Sequence, residues 1–414
     1  MLGLITVLVD SLIPRIREIF ELSYFQAGLV QFAFFIAYGL ISIPAGKLLH
    51  QIGYKKGIIT GIAIMGIGCS LFYPAASFRS FEVFLLGYFT LAAGMTILQV
   101  AINPYVTVLG DPETASSRLN LSQAFNSLGT AIAPILGATL ILSDNIKNSE
   151  EIQNLSQEAK ELYFTAEAAA VQSPFLFLSA SLFLLAIIVL AVKLPQVLGT
   201  SQSSYKEALK DSKLKLGAIG IFVYVGAEVT IGSYLVNYFL DMNLAETIRN
   251  SEFMSGLASL VHSEGLDQID NKGVVGAFVV FYWGGAMLGR FVGSYLTKVI
   301  RPNRVLAAFA ASAIAFVSLS IVGGNLIAFW SILSVGLFNS IMFPTIFSIA
   351  IEDLGDLKPE GSGTLCTAIA GGAFLPPLYG FFTDISGFKT AFIMIIACYS
   401  YIWFYARKTT PKNS

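Results

Sequence analysis

Charge is what this sequence lacks. Only 12% of its 414 residues are Asp, Glu, Lys or Arg, about half the share a soluble domain carries. A soluble chain of this length covers its core with charge, and here there is too little to do so. The formal net charge of −1 gives no footing for nucleic acid and none for a polybasic membrane-surface protein. Histidine is scarcer still, with His50 and His262 the only two, each in a polar loop. Cys69, Cys366 and Cys398 all sit in apolar stretches, in neither a disulfide framework nor a metal-ligand spacing. Neither a metal nor another cofactor is expected, and an enzyme would have no ligand cluster or nucleophile–base pair to work with. Met1 leads directly into apolar sequence without a charged n-region, so no cleavable signal peptide is expected.

What the chain has instead is apolar length. It is 55% hydrophobic, with a mean hydropathy of +0.72. A bilayer-spanning helix needs about 20 mostly apolar residues, and eleven such runs follow one another: 25–49, 57–76, 81–108, 119–142, 174–194, 217–240, 273–296, 305–322, 326–349, 363–382 and 388–405. A further run, 1–13, is too short, since ~13 residues reach roughly 20 Å across a ~30 Å core. The chain is therefore expected to begin inside its first helix, by truncation or a late start site, and twelve helices are expected in all. Lys and Arg favour one set of connecting loops by about two to one, which puts both termini and the linker 196–216 in the cytoplasm. The polar, acidic segments 144–172 and 241–272 then read as outside loops. The linker divides the chain into six-helix halves, 1–195 and 217–414.

The halves resemble each other at an offset of about 240 residues. "QVAINP" sets Gln99 five residues before Pro104, and "NSIMFP" sets Asn339 five residues before Pro344. "PILG" (134–137) matches "PLYG" (377–380), with Asp144 and Asp384 following. Parallel six-helix repeats are the plan of the major facilitator superfamily, whose substrate site lies at mid-membrane between the halves. The loop "AGKLLHQIGYKKG" fits that plan through Gly46, Gly53 and the Lys55–Lys56 pair, although His50 stands where an acidic residue is usual. The loop "GSYLTKVIRPNR" is its counterpart in the second half.

Ionisable groups inside a membrane are costly, ~2.5–3.5 kcal/mol at the bilayer centre, and mark functional positions by default. Glu228 is the one formal charge in "IFVYVGAEVTIGSYLVNYF", and Asp10 lies in "TVLVDSLIP". A carboxyl that can be neutral when buried and charged when exposed is what proton coupling requires. Tyr224, one turn before Glu228, can hydrogen-bond it, whereas Asn237 lies nearly opposite. Sodium binding and a structural role are the alternatives for Glu228. Arg290, in "MLGRFVGS", is expected to serve topology and packing by snorkelling. Neutral amides gather too. Gln99 and Asn103 share a face, as do Gln31 and Tyr38, while Asn120, Gln123, Asn126 and Ser127 lie on one side of the fifth helix and Asn339 is on the tenth. Amides supply donors and acceptors together and aromatic faces cover a pyranose, so this set suits a ligand with many hydroxyls. Helix-to-helix bonding, at roughly 1 kcal/mol or less per contact, is the plainer alternative for any one of them.

"DSLIP", "LFYPAA", "NPYVTVLG", "RLNLSQAFNSLG", "YVGAEVTIGSYLVNY" and "YWGGAMLGRFVGS" resemble the fucose permease family of sugar–proton symporters, most closely its bacterial glucose/galactose transporter branch. The resemblance implies an all-α membrane protein with the major facilitator superfamily fold, twelve transmembrane helices in two pseudo-symmetric bundles. It also implies a proton-coupling acid on helix 1, matched by Asp10, and sugar-holding amides on helix 5, matched by Gln123 and Asn126. The family's helix 4 acid is replaced by Gln99, which leaves Asp10 or Glu228 to carry the proton. The expectation is a monomeric symporter of a neutral hexose in a bacterial inner membrane, driven by protons or, as the alternative, sodium. Fucose, mannose or N-acetylglucosamine are the other candidate sugars, and a non-transporting sugar sensor or a membrane enzyme the rival classes. The sequon at Asn154 reads as a chance match.

Overall fold

Lipid offers the backbone no hydrogen-bond partner, so an apolar run that crosses it must satisfy its own N–H and C=O groups, as a helix does. The computed structural model describes residues 3–5, 7, 24–140, 156–197, 204–261 and 265–410, and among these there are helices and turns but no strand. In chain order the principal helices are α1 (Tyr24–Ser77), α2 (Phe81–Val108), α3 (Ala115–Leu140), α4 (Gln157–Ala191) and the short α5 (Tyr205–Ala208). The second half supplies α6 (Ser212–Asp241), α7 (Val279–Val299), α8 (Pro302–Val322), α9 (Asn325–Asn339), α10 (Met342–Ala350), α11 (Lys358–Thr367), α12 (Gly371–Ser386) and α13 (Phe388–Lys408). Nine segments among the described residues are long and apolar enough to cross a membrane, and the protein is an integral, multi-pass membrane protein.

One of these segments, Val30–Ser77, has 48 residues, about 72 Å of helix and hence enough for two crossings. The turn between them is Gly53, whose φ of 81° and ψ of 165° make it the non-helical residue inside α1. Only glycine takes that conformation without strain. The expected spans 25–49 and 57–76 are therefore the two legs of α1. The remaining expected spans also fall on helices, within a few residues at their ends. Of the short first run, only residues 3–5 and 7 are described.

Both polar segments read as loops from sequence carry helix. From Gln157 onward the first belongs to α4, which at 35 residues is far longer than one crossing needs. Ser156 caps it by accepting from the Ala159 N–H, and "QEAKELYFTAEAAAV" is built of strong helix formers. Polarity alone does not exclude a helical conformation there. The second holds three short helices, Leu244–Asn250, Glu252–Ser259 and Asn271–Gly276. Arg249 ties the first of these to the third by donating to Asn271 Oδ1 at 2.6 Å and to the Ile269 carbonyl at 2.7 Å.

By spatial contact the chain forms two compact units. The first comprises Met1–Leu109, Phe125–Leu214 and Ile351–Ala368, and the second Gly110–Ala124, Lys215–Ala350 and Ile369–Ser414. In the first unit the second leg of α1 meets α2 backbone to backbone: a Cβ on Gly94 would lie 2.5 Å from the Met65 nitrogen. Such small-residue contacts are how helices associate where lipid removes the hydrophobic drive. The segment Ile351–Ala368 is fastened into this unit by Ser362, whose hydroxyl donates to the Val100 carbonyl at 2.8 Å. Pro104 has no N–H to bond the carbonyl four residues back, and that carbonyl is Val100. In the second unit the segment Gly110–Ala124 is held by Ser117, donating to the Ser294 carbonyl at 2.7 Å, and by Asn120, donating to Thr345 Oγ1 at 3.2 Å. Here α7 and α9 lie so close that a Cβ on Gly289 would overlap the Leu337 carbonyl.

Candidate functional site

That close approach places Arg290 against the gap between α9 and α10. Pro344 again lacks the N–H that would bond four residues back, so the Ser340 carbonyl is released from the helix. Arg290 takes it, donating from Nε at 3.1 Å. The same guanidinium turns Nη2 toward Glu228 Oε1, 3.6 Å away, and both side chains are only 14% exposed. The sequence assigned Arg290 to packing and topology. The structure corrects this, because a carboxylate shielded from water needs a counter-charge and Arg290 supplies it.

Around this pair lies a ring of buried polar groups, all in the second unit. Asn339, at the end of α9, donates from Nδ2 to the Tyr282 hydroxyl at 2.7 Å. Tyr282 donates in turn to the Glu228 backbone carbonyl at 3.4 Å. Tyr224 faces the Glu228 carboxyl from one turn earlier, as its position on the helix predicts, and Tyr399 on α13 interacts with both Asn339 and Glu228. Asn339, Tyr224, Tyr282 and Tyr399 are buried, and Asn237 is exposed. Of the three tyrosines, Tyr224 was read from its one-turn spacing to Glu228, whereas Tyr282, eight residues before Arg290, and Tyr399, on a separate helix, had no role assigned from sequence.

The other candidate residues are distributed over both units. Gln31, Tyr38, Gln99, Asn103 and Asn126 belong to the first, Gln123 to the second. Tyr38 is buried against Phe34, with ring centroids 5.4 Å apart, and Phe34 stacks on Tyr88 at 5.9 Å. Asn103 is buried, Gln99 and Gln123 are half-buried and Gln31 is exposed. Asn126 accepts from the Gly3 N–H at 2.7 Å through Oδ1, so part of this amide bonds helix to helix. Asn120 is fully buried and spends its Nδ2 on the Ser116 carbonyl and on Thr345. Asp10 and His262 lie outside the described residues. No group of three potential metal ligands occurs among the described residues.

A second buried polar pair was missed by sequence reasoning. His50 Nδ1 lies 3.0 Å from Glu360 Oε1, with Glu360 fully buried in the first turn of α11. The sequence noted that His50 replaces an acid; the acid is on the facing helix instead. Tyr205 of α5 seals this corner by donating to the Ile43 carbonyl at 2.7 Å. Its hydroxyl fills the space that a Cβ on Gly46 or on Gly363 would take.

Three comparisons bear on the chain as a whole. The family model described as Major Facilitator Superfamily matches residues 1–369. The glucose/galactose transporter of Brucella abortus biovar 1 (strain 9-941) is 46% identical over 416 residues, covering 98% of this chain and 90% of that one. The L-fucose-proton symporter of Escherichia coli (strain K12) is 33% identical over 413 residues, covering 96% and 88%. Among solved structures, the E. coli fucose:proton symporter superposes with a TM-score of 0.86 at 31% identity, covering 99% of this chain and 96% of that one.

Proposed function

Because the chain belongs to the major facilitator superfamily, we propose that it is a secondary active transporter carrying a neutral hexose, glucose or galactose, together with a proton by alternating access. The observation that carries this reading is the 46% identity, over nearly its whole length, to a glucose/galactose transporter. Proton coupling draws on the likeness to a fucose–proton symporter and on the buried Glu228–Arg290 pair. In this reading Gln99, Asn103 and Gln123 bond the sugar hydroxyls, with Asn126 and Asn339 sharing their amides between sugar and helix. Tyr38 and Gln31 complete the contact, and Asp10 and Glu228 exchange the proton. The protein acts as a monomer in a bacterial inner membrane with both termini in the cytoplasm.

The test is uptake of radiolabelled glucose, galactose, fucose, mannose and N-acetylglucosamine into proteoliposomes under an imposed pH or sodium gradient. Accumulation of glucose or galactose driven by the pH gradient alone is expected. Accumulation that follows sodium instead reassigns the coupling ion, and transport of fucose alone reassigns the substrate.

A further inference from the structure

An arginine acts in proteins as a fixed cation and not as a proton carrier, and Arg290 stands beside Glu228. Its placement is nevertheless unusual. One edge of the guanidinium is fixed to the Ser340 carbonyl at 3.1 Å, and another reaches Glu228 at 3.6 Å. The first contact is a formed hydrogen bond; the second is longer than the ~2.7–2.9 Å of a closed charge-assisted bond and still within Coulomb reach. The anchor lies on the two residues that separate α9 from α10, Ser340 and Ile341. The reach of the guanidinium toward Glu228 is thus tied, through the Ser340 carbonyl, to the position of that break. The other titratable groups around the carboxyl are Tyr282 from α7, Tyr399 from α13 and Tyr224 from its own helix. Asn339 and Ser340, from the break, carry no charge. Arg290 is thus the one cation among these neighbours.

We propose that Arg290 is the positioning residue that decides when Glu228 holds its proton, through its anchor on the Ser340 carbonyl that Pro344 leaves free. With the guanidinium withdrawn, the carboxylate takes a proton from water and stays neutral; with it advanced, the proton returns to water and the carboxylate pairs with the cation. No other bond forms or breaks. This rests on the reading of the protein as a proton-coupled sugar transporter.

The test measures sugar counterflow at equal pH on both sides, over a range of pH, and pH-gradient-driven uptake on the same proteoliposomes. Wild type is compared with R290Q, R290K, E228Q and the E228Q/R290Q double variant. Wild-type counterflow should fall at alkaline pH as Glu228 ionises. R290Q should lose uphill uptake by about tenfold or more while its alkaline fall moves to higher pH, and R290K, which keeps the charge, should recover part of the uptake. The double variant should exchange sugar within about threefold of E228Q, because a pair that acts as a unit is lost once. Uphill uptake retained in R290Q, or an alkaline fall that does not move, overturns the proposal. Should R290Q not fold, the double variant decides: exchange there supports the pairing, and loss of exchange there overturns it. Wild type that fails to exchange any sugar defeats the transport reading instead, and wild-type behaviour separates the two failures.

Discussion

At the scale of single residues, Asn120 bonds one helix to another, whereas Gln123 is an amide proposed to meet the sugar. Asn120 is fully buried with its Nδ2 committed to Ser116 and Thr345, so Asn120→Ala should cost stability, about 1–2 kcal/mol, and leave sugar affinity unchanged. Gln123, one turn on and half-buried, should behave in the opposite way: Gln123→Ala should weaken sugar binding about tenfold with little loss of stability. Thermal melting in detergent and sugar titration of the purified variants check both. Equal effects of the two substitutions on affinity would remove the distinction. The His50–Glu360 pair calls for another measurement. Removing His50 takes a polar partner from the fully buried Glu360 side chain, so His50→Ala should destabilise by about 1–3 kcal/mol. The double variant His50→Ala/Glu360→Gln should recover much of that loss, and a double variant no more stable than the single one would show that the pair does not act together. Sequence reasoning named Glu228, Asn339 and Tyr224 because an intramembrane charge and a helix-turn spacing are visible in one dimension. Arg290 and Glu360 were misread or missed because their roles exist only through partners on other helices, far away in sequence.

At the scale of elements, two prolines do the same thing in the two halves. Pro104 frees the Val100 carbonyl, which Ser362 takes, and Pro344 frees the Ser340 carbonyl, which Arg290 takes. The repeat of these prolines was legible in the sequence, as was each helix around them. The identity of the capping side chains was not, because proline fixes which carbonyl is released and only the fold fixes what reaches it. A double-mutant cycle tests the first case. Ser362→Ala should cost about 1–2 kcal/mol in the wild type, by stranding a buried carbonyl, and close to nothing in a Pro104→Ala background where the helix bonds that carbonyl itself. Additive losses would mean that Ser362 acts by packing alone. The helix over the first part of α4 went unforeseen for a related reason: a polar composition leaves helix open wherever Ala, Glu and Leu are frequent.

At the scale of the whole molecule, the protein is a membrane transporter of the major facilitator superfamily, and Glu228, as its proposed proton site, must be charged in one state and neutral in another. Its topology predicts that cysteines placed at the exposed positions Glu158 and Asp356 are labelled from opposite sides of the membrane by an impermeant reagent. Labelling of both from outside would contradict the orientation taken from Lys and Arg. The most direct measurement concerns Glu228→Gln, which keeps shape and hydrogen bonding and removes the charge. Sugar counterflow and pH-gradient-driven uptake are followed on the same proteoliposomes. The account predicts that Glu228→Gln exchanges sugar across the membrane and no longer accumulates it. A variant that still accumulates sugar against its gradient would contradict the assignment of Glu228 as the residue that couples proton movement to transport.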